Sequence, residues 1–308
     1  MTCIQQIHWE LEMDYIGHPY YVSGNAILHA LGQQIPHEAH QQLHASHGLF
    51  VPGQFGAFPE EHSQSRAHPY LGGGLPDVDA YDDLFLFRDP YQPWLLDSRP
   101  RDALNTHGVR LQSGHPAIAH ETIVGRPRGH KNDKKTTRWF VNAYVHADDP
   151  DVLPLDKHVL DGLQFGGKRN YGYGVTRIKE TQTVDLEDLD YSRLEAADEF
   201  SLKLMTPFVL ETEYPRAHDQ PIPWWWGKGR DGLREREEKI VEQRTDYRLQ
   251  TVDHGQIVPY GGDRPIETGK NGILRVGSHA KCGFGEFRII PADRSREHCQ
   301  DLDGSTDQ

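Results

Sequence analysis

Two glycine-punctuated segments, each followed at once by a short strand-like run, constrain the fold of this chain most. The first is FGGKRNYGYGVTRI at 165–178, and the second is VGSHAKCGFGEFRII at 276–290. Glycine lets backbone N–H groups approach and converge, so a glycine-rich loop can bind phosphate. A dinucleotide-binding fingerprint follows a strand and opens a helix. Here a helical spacing of apolar residues over 155–163 precedes the first segment and a strand follows it, which argues against NAD-type binding.

The pattern of the first half predicts a mixed domain. Apolar and polar residues alternate over 7–13 and over 139–145, which predicts two half-buried strands. Between them, Ser23 is placed to cap a short helix that carries Ile27 and Leu31. With the helix before the first glycine segment and the strand after it, the order is β-α-β-β-α-β, as in a ferredoxin-like or RRM-like domain.

The second half looks like a degenerate repeat of the first. EFSLKLMTPFVLETEYP at 199–215 loosely echoes HWELEMDYIGHPYY at 8–21. We expect DGLREREEKIVEQ (231–243) to form a charged helix and GILRVG (272–277) to form a strand. The predicted fold class is therefore α+β, with tandem ferredoxin-like or RRM-like domains and a long irregular insertion in the first. The first domain is expected at 1–180, with the insertion at about 48–108 and glycine loop 166–174. A linker is expected at 181–198. The second domain is expected at 199–292, with glycine loop 277–285, and a polar tail at 293–308.

The overall charge is acidic, with 33 Lys and Arg against 46 Asp and Glu and a net charge of −13. Arginine outnumbers lysine, and an acidic, lysine-poor chain is typical of a halophilic protein in a high-salt cytoplasm. An ordinary acidic mesophilic protein is the alternative. Either way, binding to nucleic acid would have to rest on local basic patches.

The cysteines and the hydropathy pattern predict a cytoplasmic location. The three cysteines are scattered at Cys3, Cys282 and Cys299, without a C-x-x-C pair, which is typical of a reducing compartment and not of a zinc ribbon or disulfide framework. No apolar run approaches the roughly 20 residues that span a bilayer. The N-terminus lacks the pattern of a secretory signal, so we expect no membrane contact.

The two glycine segments resemble the glycine-rich loops of the RAMP superfamily of CRISPR-associated proteins. In that family a pair of glycines, a few basic or small residues, and a glycine–aromatic–glycine motif precede a hydrophobic strand. The first match comprises Gly166, Gly167, Lys168, Arg169, Gly172, Tyr173 and Gly174, and the second comprises Gly277, Lys281, Gly283, Phe284, Gly285, Glu286 and Phe287. The resemblance implies RRM-like domains that bind CRISPR RNA together with other Cas subunits, without any cofactor or metal. It covers about a third of the chain.

The residues themselves suit RNA. Lys168 and Arg169 lie beside Tyr171 and Tyr173, which pairs phosphate-binding cations with rings that can stack on bases. The segment at 125–138 holds the densest basic cluster. Its predicted RNA-binding residues are Arg126, Arg128, Lys131, Lys134 and Lys135. The alternative is that the loops only turn the chain and that the basic cluster is solvated surface.

Three adjacent tryptophans, Trp224–Trp226, cannot all face one core, so at least one is expected to be exposed or to contact a partner. A tryptophan next to Lys228 and Arg230 could stack on a base. We favour packing or a protein interface for this segment.

The histidines leave the question of catalysis open. His37, His40, His44 and His47 recur at spacings of three and four, so most would share one helix face, and no metal is predicted there. Some RAMP proteins are metal-independent endoribonucleases in which a histidine near the first helix performs acid–base chemistry, and others are non-catalytic effector subunits. The catalytic candidates here are His29, His44 and His47. We favour an RNA-binding subunit of an interference complex, with a CRISPR precursor-RNA processing endoribonuclease as the alternative.

Overall fold

The computed structural model describes residues 2–18, 21–52, 74–88, 101–110, 116–124, 139–242 and 245–292. In these ranges the chain combines several antiparallel sheets with a few short helices, which confirms the predicted α+β class. The tandem ferredoxin-like layout stays a prediction. None of the helices in these ranges is long and apolar enough to cross a membrane.

Two compact units make up the chain. The N-terminal unit consists of Cys3–Asp77 and Tyr91–Val184, and the C-terminal unit consists of Met1–Thr2, Val78–Pro90 and Asp185–Gln308. The segment Val78–Pro90 therefore belongs to the C-terminal unit, although it lies in the sequence of the predicted insertion.

In its described ranges, the N-terminal unit contains nine strands and three short helices. These are β1 (Cys3–Leu11), β2 (Tyr15–Ile16), β3 (Tyr21–Val22), α1 (Gly24–Leu31), α2 (His37–Gln42), β4 (Leu43–Ala45), β5 (Gly48–Pro52), β6 (Arg101–Arg110), β7 (Pro116–Val124), β8 (Trp139–Ala147), α3 (Lys157–Leu160) and β9 (Thr176–Asp185). The main sheet has the order β3-β5-β8-β1-β9, and β4 also pairs with β8. In this sheet β8 lies between β1 and β5. The chain from β1 to β5, which includes α1 and α2, therefore connects two strands that β8 separates, as in a split β-α-β arrangement.

The central strands β1 and β8 are buried on both faces, whereas the alternation predicted one solvated face. On one face Trp9 donates its indole N–H to the carbonyl oxygen of Leu160 at 2.7 Å. On the other face His8 stacks on Phe140, with ring centroids 4.9 Å apart. The polar residues of β1 are thus covered like its apolar ones. The first helix follows the prediction, because the Ser23 hydroxyl accepts the N–H of Ala26 at 3.2 Å.

The described part of the C-terminal unit contains six strands and two helices. These are α4 (Ser192–Glu195), β10 (Phe200–Leu204), β11 (Phe208–Thr212), β12 (Glu235–Glu242), β13 (Thr245–Val252), β14 (Ile257–Pro259), α5 (Pro265–Leu274) and β15 (Phe287–Pro291). The six strands form two three-stranded sheets, ordered β14-β10-β15 and β11-β13-β12.

Two predictions in this unit are wrong. Residues 231–242, the described part of the charged segment, contain β12 and no helix, because Glu235–Glu242 pairs along its whole length with β13. Residues 272–274 end α5 and do not begin a strand. A Cβ at Gly272 would lie 2.4 Å from the Phe287 carbonyl oxygen, so this helix packs on β15 at a distance that only glycine permits.

The segment 78–88 is anchored in the C-terminal unit. A 3₁₀ turn at Tyr81–Phe85 buries Tyr81 and Phe85, and the Tyr81 hydroxyl accepts the backbone N–H of Ile289 at 3.0 Å. Arg88 and Glu286 are both fully buried and form two hydrogen bonds, at 2.6 and 2.5 Å. The segment therefore covers part of β15 and supplies the charge that pairs with Glu286.

Candidate nucleic-acid interface

The first glycine loop requires glycine at two positions where its backbone lies very close to other backbone atoms. Gly166 and Gly174 have φ angles of +83° and +72°. A Cβ at Gly166 would lie 2.3 Å from the Ile16 carbonyl oxygen, and one at Gly174 would lie 1.9 Å from that of Phe165. Side chains at these positions would collide with the backbone, so the two glycines hold the loop closed.

Backbone hydrogen bonds hold the loop against the segment that follows β1, which includes β2. The N–H of Gly174 donates to the Asp14 carbonyl at 2.8 Å, and the N–H of Gly167 donates to the Ile16 carbonyl at 2.8 Å. Between these points, Lys168 adopts a left-handed conformation (φ 53°) and begins a 3₁₀ turn at Arg169–Tyr171. The loop is thus a defined projection from the N-terminal unit.

The tip of this loop presents cations and aromatic rings. Lys168 is exposed and Arg169 is half-buried. Tyr171 is 80% exposed, and Tyr173 is half-buried. Cations contact phosphates and exposed rings stack on bases, so this surface has the chemistry that single-stranded RNA requires.

One of the three candidate catalytic histidines lies near this loop. His29 is exposed in the last turn of α1. The pKa of His29 is lowered by partial burial first, and then by the positive charges of Arg169 and His40. The structure therefore brings the loop's guanidinium close enough to affect an imidazole 140 positions earlier in the chain, a proximity that no sequence pattern signalled.

The other two histidines have structural contacts. His47 is fully buried, accepts the N–H of Gly24 on Nδ1 at 2.9 Å and stacks on Tyr21 at 4.1 Å. His44 lies on β4, with Nε2 3.1 Å from an Asp148 carboxylate oxygen and its ring stacked on His146 at 4.5 Å.

The prediction that most of these histidines share one helix face is wrong. Only His37 and His40 lie on α2, because the chain turns to an extended conformation at Leu43, which is buried in pairing with β8. Within the described ranges, no cluster of three or more His, Cys, Asp or Glu side chains could hold a metal ion.

The second glycine loop has the same backbone as the first. In each loop, positive φ angles occur at four positions with the same spacing, and a 3₁₀ turn occupies the same place between them. The positions are Gly166, Lys168, Gly172 and Gly174 in the first loop and Gly277, His279, Gly283 and Gly285 in the second, with turns at Arg169–Tyr171 and Ala280–Cys282. The two glycine segments are therefore local structural repeats.

The hydrogen bonds that hold the loops are repeated as well. The N–H of Gly285 donates to the Pro207 carbonyl at 2.9 Å, as Gly174 does to Asp14. A Cβ at Gly285 would lie 2.1 Å from the Val276 carbonyl oxygen, which matches the close approach at Gly174. The resemblance between 199–215 and 8–21 thus reflects equivalent strand ends that receive equivalent loops.

The side chains of the second loop indicate that this loop has a different role. Phe284 is 2% exposed and packs with Val209, Ile240 and Leu249, so its ring does not lie open to a base. His279 takes the place of Lys168, and burial lowers its pKa; its Nε2 lies 2.9 Å from the Thr212 hydroxyl. Lys281 is the loop's partly exposed cation. The backbone is shared, but the open basic and aromatic surface belongs to the first loop.

Five predicted RNA-binding residues lie outside the described residues. These are Arg126, Arg128, Lys131, Lys134 and Lys135.

Comparison with known proteins gives a similarity to a solved structure but no matching family. No protein-family model and no curated protein sequence matches the chain. Among solved structures, it is similar to a chain in a cryo-EM structure of the Type III-B Cmr-beta bound to cognate target RNA. The identity is 10%, the match covers 83% of this chain and 86% of that chain, and the TM-score is 0.31. A likeness at this level carries no functional argument, so the function must be inferred from the loops.

Proposed function

We propose that this chain is an RNA-binding protein of the RAMP type that holds CRISPR RNA as a subunit of an interference complex. The observation that carries the proposal is the first glycine loop, which projects Lys168, Arg169 and Tyr171 from a backbone fixed at both ends. Cations and rings that are held in place before binding recognise RNA through phosphate contacts and stacking. A local site of this kind allows RNA binding by a protein whose overall charge is acidic. The repeated backbone of the second loop supports the resemblance to a family built with such loops.

Replacing Lys168 and Arg169 together with alanine is expected to weaken binding to repeat-derived RNA. Each lost phosphate contact should make the dependence of log K on log salt shallower by about 0.7, so the double variant should lose about 1.4 in slope. Fluorescence anisotropy across a series of potassium chloride concentrations measures both the affinity and the slope.

The matched control replaces two exposed lysines elsewhere, Lys157 and Lys239, with alanine. This control changes the net charge by the same amount but leaves the loop intact, so its slope should stay near that of the wild type. If the loop variant keeps the wild-type affinity and slope, the loop serves only to turn the chain and the proposal fails.

A second function is favoured by one observation, the proximity of Arg169 to His29. A neutral imidazole can remove the proton of a ribose 2′-hydroxyl; the 2′-oxygen then attacks the adjacent phosphorus, the 5′-oxygen leaves and takes a proton from solvent, and the imidazolium returns its proton to solvent. The products would be a 2′,3′-cyclic phosphate and a 5′-hydroxyl, and no metal is required. Partial burial and then the charge of Arg169 lower the pKa of His29, which favours the neutral imidazole that a general base requires, and Arg169 would stabilise the charge that develops on the phosphate.

Incubation with labelled repeat RNA in EDTA separates the two functions. On the subunit proposal, the wild-type protein binds the RNA and leaves it intact. Cleavage in EDTA that is slowed about 10²- to 10⁴-fold by His29→Ala, but not by His44→Ala, would establish the endoribonuclease instead. His44 is a suitable control because it belongs to the same unit and contacts Asp148. His47→Ala is uninformative about catalysis, since His47 is part of the core.

A further inference from the structure

Trp224 stands out from the C-terminal unit on a turn whose other two tryptophans are packed inside. Its side chain is 81% exposed, whereas Trp226 is 3% exposed and lies 5.0 Å from the ring of Phe208. Trp225 packs on Phe287, with ring centroids 5.3 Å apart. Two indoles therefore anchor the turn and the third is presented to solvent.

The turn is also held by the backbone. The N–H of Trp226 donates to the Pro223 carbonyl at 3.0 Å, the N–H of Gly227 to Pro259 at 2.7 Å, and the N–H of Gly261 to Trp225 at 2.8 Å. Because the backbone of the turn is held before binding, ordering that backbone adds little to the entropic cost of binding a partner.

A cation lies on the same segment. The exposed Lys228 ammonium donates to the Gly232 carbonyl oxygen at 3.0 Å. Lys228 has no carboxylate partner among the described residues, whereas Arg230 pairs with both Glu211 and Glu235. Lys228 is therefore the segment's available positive charge.

The surroundings favour a nucleobase over a protein as the partner. Protein hot spots lie within patches of surrounding residues that exclude water. The exposed residues next to Trp224 in the sequence are instead Pro221, Gly227, Lys228 and Gly229, which supply little apolar area. Stacking on a base needs only an open ring face, with a nearby cation for the phosphate.

We propose that Trp224 and Lys228 form a binding site for an unpaired nucleotide of single-stranded RNA, in which the indole stacks on the base and the ammonium contacts the adjacent phosphate. The site lies on the C-terminal unit and is separate from the first glycine loop. The inference rests on the RNA-binding function proposed above and extends it to a second contact with the RNA.

Binding of the full chain to a short fluorescein-labelled single-stranded RNA tests this site. Trp224→Ala is expected to raise the Kd about 5- to 150-fold, the range that the loss of one stacked base gives, with an unchanged salt slope because no charge is removed. Trp224→Phe should retain most of the affinity. Lys228→Gln should make the slope shallower by about 0.7. Val241→Ala, at another exposed apolar side chain of the same unit, serves as the control and should leave the Kd unchanged.

The outcomes separate this inference from the proposed function. If Trp224→Ala leaves the Kd unchanged while the Lys168 and Arg169 double variant weakens binding, the stacking site is absent and the first loop still binds RNA. If neither variant changes binding, or the wild type does not bind RNA, both proposals fail. If Trp224→Ala abolishes self-association in sedimentation velocity without changing RNA affinity, the indole is a contact between copies of the chain and the inference is overturned.

Discussion

Replacing Arg88 with alanine is expected to lower the free energy of unfolding by about 3–5 kcal/mol, because it leaves the Glu286 carboxylate buried without its partner. Both side chains have no solvent exposure, and the guanidinium donates to both carboxylate oxygens. Urea denaturation followed by circular dichroism measures the change. A loss of this size would show that segment 78–88 is an integral part of the C-terminal unit and not a dispensable insertion.

A double variant shows whether the loss comes from the unpaired charge. Arg88→Met combined with Glu286→Met removes both charges and keeps apolar volume, so it should recover most of the lost stability. Arg264→Ala removes one partner of an exposed ion pair in the same unit, with Glu267, and should have a much smaller effect. If Arg88→Ala unfolds at the same urea concentration as Arg264→Ala, the buried pair does not stabilise the unit.

The sequence predicted the elements whose signal is local. Alternation over 7–13 and 139–145 corresponds to β1 and β8, and Ser23 caps α1 as expected. The two glycine segments were recognised because positive φ angles and close backbone approaches select glycine at fixed spacing. Alternation, capping and positive φ angles are each determined within a few residues, whereas the approach of Gly166 to the Ile16 carbonyl joins distant parts of the chain.

The errors arose where distant partners decide the structure. The charged residues of 235–242 have high helix propensity, but pairing with β13 makes them a strand in which Glu238 and Ile240 are buried. Gly269 and Gly272 weaken the helical pattern of α5, yet Gly272 is needed where that helix approaches β15. Burial of the second face of β1 likewise depends on partners that alternation does not reveal.

The candidate site could be predicted only in part. Lys168, Arg169 and Tyr171 were identified from their spacing, and the structure exposes the lysine and the tyrosine. The sequence could not show that Phe284 of the second loop is part of the core, because a glycine–aromatic–glycine motif looks the same whether the ring is exposed or buried. It also could not select His29 among 19 histidines, since its relation to Arg169 exists only in the folded unit.

Substituting alanine for Gly174 or for Gly285 tests whether the shared loop backbone and RNA binding are separate properties. Each alanine would adopt a positive φ and place its Cβ within about 2 Å of a carbonyl oxygen, so each variant should lose at least about 2 kcal/mol of stability. Only Gly174→Ala should also weaken RNA binding, because it displaces the loop that exposes Lys168 and Tyr171. Thermal denaturation and anisotropy under conditions where the variants remain folded measure the two effects.

Gly167→Ala is the control within the first loop. Its Cβ would meet the Ile16 carbonyl oxygen at 3.7 Å, an ordinary contact, so stability and affinity should both stay near the wild-type values. Equal losses of RNA affinity in Gly174→Ala and Gly285→Ala would contradict the assignment of RNA contacts to the first of the two glycine loops. Wild-type stability in Gly174→Ala would mean that the loop can move away from Phe165, and the rigid presentation of its cations would no longer hold. Loss of affinity in Gly174→Ala with no loss in Gly285→Ala would show that the chain keeps one backbone for two purposes, with RNA contacts at the first loop and core packing at the second.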